Sequence, residues 1–184
     1  MLDDSSDDDA QAPKPSTLRL SPLDDDLMDV ALSTFVPVLD QNVFPIHGAV
    51  DKLRLEAPSC LFVMRPGETM SLVGGATLRL LQGTVNLDGV TLKPSKVAHR
   101  IFAPISNALP CIRALDVNEP ATKIPAAFRQ YAQLDFVVFI LSELHTGVSG
   151  LSDVCRRFDD IFAPRRDPCA PLPIQGIFLV SPFI

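Results

Sequence analysis

From Phe35 onward the chain places its apolar residues in short runs of β-type spacing, broken by Pro or Gly about every eight to twelve positions. Read as strands, these runs fall at 35–39, 42–46, 52–56, 60–64, 69–73, 77–81, 84–87, 90–93, 99–102 and 111–115. Two of the breaks specify their turns. Pro66-Gly67 pairs a fixed φ with a permissive one, as a type II turn requires. Asp88-Gly89 sits between Val85-Asn86-Leu87 and Val90-Thr91-Leu92 and tolerates positive φ at both positions, the signature of a tight hairpin. Leu78 and Leu80 alternate with Thr77 and Arg79, and Val85 and Leu87 with Asn86 and Asp88, so one strand face is buried and the other wet. The predicted fold is mainly β: an antiparallel β-sandwich of jelly-roll type, not a parallel sheet.

The segments around this region divide the chain further. Residues 1–33 read as a disordered acidic tail, residues 34–115 as the β-sandwich domain and residues 116–132 as a linker or long loop interrupted by Pro120 and Pro125. Residues 133–184 read as a strand, a helix and a strand. Phe136-Val137-Val138-Phe139-Ile140-Leu141 is a continuous apolar run of the kind buried on both faces. Leu151, Val154, Cys155, Phe158, Ile161 and Phe162 then follow helical spacing, with Ser149 as cap and Pro164 as stop, giving one C-terminal helix. Asp153 with Arg157 and Arg156 with Asp160 are i, i+4 pairs on its polar face. A last apolar run covers 176–180.

Composition supports a folded chain. At 184 residues, 47% hydrophobic and 21% charged, with a mean hydropathy of +0.23, it is too apolar to be wholly disordered. A chain of this size buries about 70% of its unfolded surface, enough for a core without metal or disulfide. The net charge of -6 is concentrated at one end. Residues 1–30 hold nine aspartates against Lys14 and Arg19, a balance of -7. Residues 31–184 hold thirteen acids and fourteen bases, a balance of +1, so the folded part lacks a strongly basic nucleic-acid surface. Ser5, Ser6 and Ser21 each have Asp three positions on, the context of an acid-directed kinase, and are candidate phosphorylation sites. No signal peptide is visible and no run reaches the length of a membrane span, so the chain reads as soluble and intracellular.

Motifs for chemistry are sparse. None of the nine glycines precedes lysine, so a Walker A loop is missing. Gly147-Val148-Ser149-Gly150-Leu151 misses the esterase elbow at its last position, and Ser149 is better explained as a cap. His47, His99 and His145 lie far apart, and Cys60, Cys111, Cys155 and Cys169 form no Cys-x-x-Cys pair; free buried thiols are the simpler reading. Glu68 is an acid without an evident partner. Arg156-Arg157 and Arg165-Arg166 form one modest basic neighbourhood. Most of the phenylalanines fall at apolar strand or helix positions, where core packing is favoured over base stacking. No catalytic, cofactor-binding or metal-ligating residue is assigned.

One resemblance goes beyond these patterns. The stretch Arg65-Pro66-Gly67-Glu68-Thr69 through Leu72-Val73-Gly74, then Leu78-Arg79-Leu80-Leu81-Gln82-Gly83-Thr84-Val85-Asn86-Leu87-Asp88-Gly89, resembles the N-terminal domain of the nucleolar polynucleotide 5′-hydroxyl kinases of fungi. So do Phe102-Ala103-Pro104-Ile105-Ser106-Asn107-Ala108-Leu109-Pro110-Cys111-Ile112, the segment Ser33-Thr34-Phe35-Val36-Pro37 and Ser149-Gly150-Leu151, over about residues 33 to 180 in all. The resemblance implies a β-sandwich preceding an ATP-dependent RNA kinase core. It also implies a role in pre-rRNA processing, in which the full-length family phosphorylates the 5′-hydroxyl left by an endoribonuclease partner, in the nucleus and nucleolus. ATP and Mg²⁺ then belong to the full-length family, whose Walker A loop is expected beyond this chain, and the chain alone is expected to be inactive, with no small-molecule ligand and no membrane partner. The alternatives are a stand-alone β-sandwich interaction module and a β-barrel for single-stranded RNA.

Overall fold

The computed structural model describes residues 33–46, 55, 57–117, 124, 126–130, 135–144, 154–156, 161, 172–174 and 176–180, all within the unit 31–184. The tail apart from Ser33, the three serines, most of the C-terminal helix, His47, His145 and Cys169 lie outside them. Among the described residues nine strands follow in order: β1 (Val43–Ile46), β2 (Ser59–Met64), β3 (Thr69–Gln82), β4 (Val85–Leu87), β5 (Val90–Leu92), β6 (His99–Ala103), β7 (Cys111–Ala114), β8 (Val137–Glu143) and β9 (Ile177–Leu179). Every pairing between them is antiparallel. The order along the sheet is β1-β2-β8-β3-β7-β4-β5, with β6 and β9 also on β3.

β3 organises the rest. Its first residues pair with β7, its middle with β9, and its second half with β6 and β8. The sequence pattern predicts two strands here, separated at Gly74-Gly75. A single 14-residue strand is found instead. The glycines are not a turn. Gly74 has φ +121°, and a Cβ built on it would run into the carbonyl of Gly176, so its missing side chain lets the chain before β9 lie directly against β3. The Gly75 N–H donates to that same Gly176 carbonyl at 3.2 Å.

Both specified turns form. Asp88 and Gly89 have φ of 48° and 86°, the two positive values of a type I′ hairpin, and Gly67 has φ +89°. The strand expected at 35–39 does not form. Pro37 has no N–H, and the Asn42 side chain takes the backbone groups a ladder would need, accepting from the Val38 N–H at 2.7 Å and donating to the Val36 carbonyl at 2.8 Å.

Two apolar clusters explain the composition of β8. Val137, Phe139 and Leu141 join Phe62, Leu78, Leu80, Val85, Leu92 and Ile112 in one cluster. Val138 and Ile140 join Phe44, Leu61, Ile124 and Phe128 in the other. From Val137 to Leu141 the run is therefore buried on both faces, as its pattern requires, and Phe136 at its start is half-buried. Ile124 and Phe128, from the stretch read as a linker, pack into the second cluster, Phe128 at the end of a short 3-10 helix (Ala126–Phe128). Phe62 stacks on Phe139 with centroids 5.4 Å apart and a 5° interplanar angle, and Phe35 tilts against Phe62 at 6.1 Å. In the segment expected to be helical, Val154 is 84% exposed, so it does not face the apolar interior its spacing assigns it to.

Candidate functional site

A cleft of about 410 Å³ opens where the approach to β1 passes the turn between β2 and β3. Three pieces of local structure build it. The first is the turn itself. The Glu68 N–H donates to the Arg65 carbonyl at 3.1 Å, and the Arg65 N–H donates back to Glu68 Oε2 at 2.8 Å. The turn is then tied to β7, because the Gly67 N–H donates to the Ala114 carbonyl and the Ala114 N–H to the Glu68 carbonyl, each at 2.9 Å. Glu68, which the sequence leaves without a partner, is thus a side-chain clamp on its own turn.

The second piece is the extended segment before β1. The Thr34 and Phe35 N–H groups both donate to the Thr69 carbonyl at 2.9 Å, and the Thr69 N–H donates to Thr34 Oγ1 at 2.8 Å. Ser33 is 2% exposed and accepts from the Ser71 N–H at 2.8 Å. The Val63 N–H donates to the Asn42 carbonyl, fixing the tight bend that follows to β2. The third piece is the chain leading into β8, held by Gln82, whose Nε2 donates to the Phe136 carbonyl at 2.8 Å.

These pieces bring together groups of different chemistry. Thr34, Gln41, Asn42, Arg65, Glu68 and Gln130 supply the polar groups of the cleft lining, which is about evenly divided between polar and apolar surface. Val36, Val63 and Phe136 supply its apolar wall. Val36 is itself exposed, and outside the cleft Val38 and Leu39 are further exposed apolar side chains. Sequence patterning singled out Glu68 alone among the lining residues; Gln41 and Gln130 lie in irregular segments, where no periodicity marks them.

The other sequence candidates among the described residues do not converge. Among the described residues no group of three His, Cys, Asp or Glu is placed to hold a metal, and His99 stands half-buried on β6. Cys60, Cys111 and Cys155 are free thiols. Burial pushes Cys60 up to about 12, and burial likewise raises Cys111, offset in part by a hydrogen bond with Ser71. Both are thereby held protonated and unreactive at neutral pH. Phe102, 51% exposed on β6, lies outside the core placement expected of most of the phenylalanines. No helix among the described residues is long and apolar enough to cross a membrane.

Comparison with known families gives a match. Residues 50–151, just over half of the chain, match the model described as the N-terminal domain of polynucleotide 5′-hydroxyl-kinase NOL9. The match takes in the clamped turn, the Asp88-Gly89 hairpin and β8. No curated protein matches the chain.

Proposed function

Because the chain belongs to the family of N-terminal domains of NOL9 polynucleotide 5′-hydroxyl-kinases, we propose that it is the non-catalytic N-terminal portion of an RNA 5′-hydroxyl kinase acting in pre-rRNA processing. The observation that carries this reading is the family match over residues 50–151. The β-rich architecture agrees with it. On this reading β3, β7, β4 and β5 close over β8, β2 and β1 as a jelly-roll-like sandwich, supported by the single cluster that Val85, Leu92 and Ile112 share with Phe62, Leu78 and Phe139.

ATP and Mg²⁺ serve the kinase reaction of the full-length family, the nucleotide giving up its terminal phosphoryl group to an RNA 5′-hydroxyl. The residues present here do not fit them. The sequence has no Gly-Lys step for a phosphate loop, and the described residues hold no cluster of metal-binding side chains. The proposal therefore assigns neither group to this chain. The partners it names are an endoribonuclease and pre-rRNA, and the location it names is the nucleus and nucleolus.

The test is direct. Purified chain incubated with ATP, Mg²⁺ and a 5′-hydroxyl RNA oligonucleotide is expected to leave the RNA unphosphorylated, while tagged chain in cells gathers in the nucleolus and copurifies an endoribonuclease. Transfer of labelled phosphate by the chain alone would contradict its non-catalytic assignment. Uniform cytoplasmic staining without a nuclease would contradict the processing role.

A further inference from the structure

We infer that the Arg65 cleft binds one nucleotide of single-stranded RNA. This rests on the family reading, which makes a polynucleotide the substrate, and goes beyond it by giving this domain its own contact with the strand. The volume of about 410 Å³ falls within the roughly 300–1,000 Å³ of small-ligand sites. Its lining combines what a nucleotide requires in one place. Phe136, half-buried beside Val36 and Val63, provides an aromatic and apolar wall for a base. Gln41 and Gln130 are exposed amides, each offering donors and an acceptor to base edges. Arg65 is exposed, and its guanidinium has no ion-pair partner among the described residues.

The division of labour within Arg65 strengthens the inference. Its backbone N–H and carbonyl hold the turn, through Glu68 Oε2 and the Glu68 N–H, while its side chain does neither. The guanidinium is thus carried on a fixed backbone at the cleft and is spare for a phosphate. The carboxylate of Glu68, one oxygen of which the turn uses, has a second oxygen suited to an exocyclic amino group. The lining is polar and apolar in about equal measure, which matches the apolar face and polar edges of a nucleotide better than a wholly apolar peptide side chain. One arginine in a nearly neutral domain also sets the strength: weak binding, with a single phosphate contact and a shallow salt dependence.

The experiment uses the full chain and a fluorescently labelled twelve-nucleotide single-stranded RNA, titrated between low and physiological salt. Arg65→Ala, which keeps the turn, is expected to weaken binding about tenfold and to flatten the slope of log affinity against log salt by about 0.7, one single-strand phosphate. Gln130→Ala is expected to weaken binding without changing the slope. Arg113→Ala, an exposed arginine on β7 outside the cleft lining, is expected to change neither. Crosslinking with 4-thiouridine RNA is expected to label the peptide carrying Phe136.

Equal affinity and slope for wild type and Arg65→Ala, equal losses for Arg65→Ala and Arg113→Ala, or crosslinks confined to other peptides would each overturn the inference. A cleft that holds a protein segment instead gives the first of these results. Absence of RNA binding in wild type overturns it too. It leaves the family reading standing, since that reading is decided by the phosphorylation and nuclease-association experiments.

Discussion

Gly74 and Gly67 both have positive φ, yet their substitution has different consequences. At Gly67 nothing lies within 4 Å of a built Cβ, so Gly67→Ala meets only the backbone cost of the left-handed region, about 1 kcal/mol. At Gly74 the same cost is joined by collision with the Gly176 backbone, which cannot rotate away as a side chain would. Gly74→Ala is expected to lower stability by about 3 kcal/mol in urea denaturation, and equal midpoints for the two variants would refute this account. The Pro66-Gly67 turn was legible because its two residues define it locally. Gly74 reads as punctuation in the sequence because its partner, Gly176, lies 102 positions away. Cys60 yields a second prediction at this scale. Its thiol ionises near pH 9.0 when unfolded and is pushed to about 12 by burial. Its contribution is complete below pH 9.0; between there and about 12 the unfolded chain loses the proton first, so stability falls as pH rises. The stability advantage of wild type over Cys60→Ala is therefore expected to narrow across that window, and a constant difference would exclude the mechanism.

At the scale of elements, β8 shows how much a pattern can specify. Six consecutive apolar residues announce burial on two faces, and the structure supplies two clusters that bury the five from Val137 to Leu141, leaving Phe136 half-buried at the cleft. What the run does not announce is the identity of its cover. Ile124 and Phe128 lie among prolines and follow neither a two-residue nor a helical period, so their role follows only from the packing of the whole sheet. Phe128→Ala is expected to cost about 3 kcal/mol, the loss of a packed core ring, whereas a solvated linker residue changes stability by about 0.5 kcal/mol or less. Thermal or urea unfolding distinguishes the two. The cleft shares this limit on legibility. Its turn is local and readable, but Gln41, Gln130 and Phe136 come from three segments whose meeting depends on the pairing of β2 with β8.

For the whole molecule, the pairing list is dominated by partners distant in sequence: β2 with β8, β3 with β8 and β3 with β9. Closing such loops is entropically costly before any ladder forms. The domain is accordingly expected to fold on the millisecond-to-second scale, and refolding complete within microseconds in a rapid-mixing or temperature-jump experiment would contradict the topology. The all-antiparallel class was readable from alternation and turns; strand order was not, since residues of identical type alternate equally well beside any neighbour. One residue of that topology has a further consequence. Ser71 donates its N–H to Ser33 Oγ and accepts at its carbonyl from the Val180 N–H. The first and last stretches of the described domain are therefore neighbours across one strand. A short peptide bridge would span them, so the covalent order of the chain is separable from its fold: a circular permutant joined there and opened at the exposed Asp88-Gly89 tip would retain every strand pairing described above.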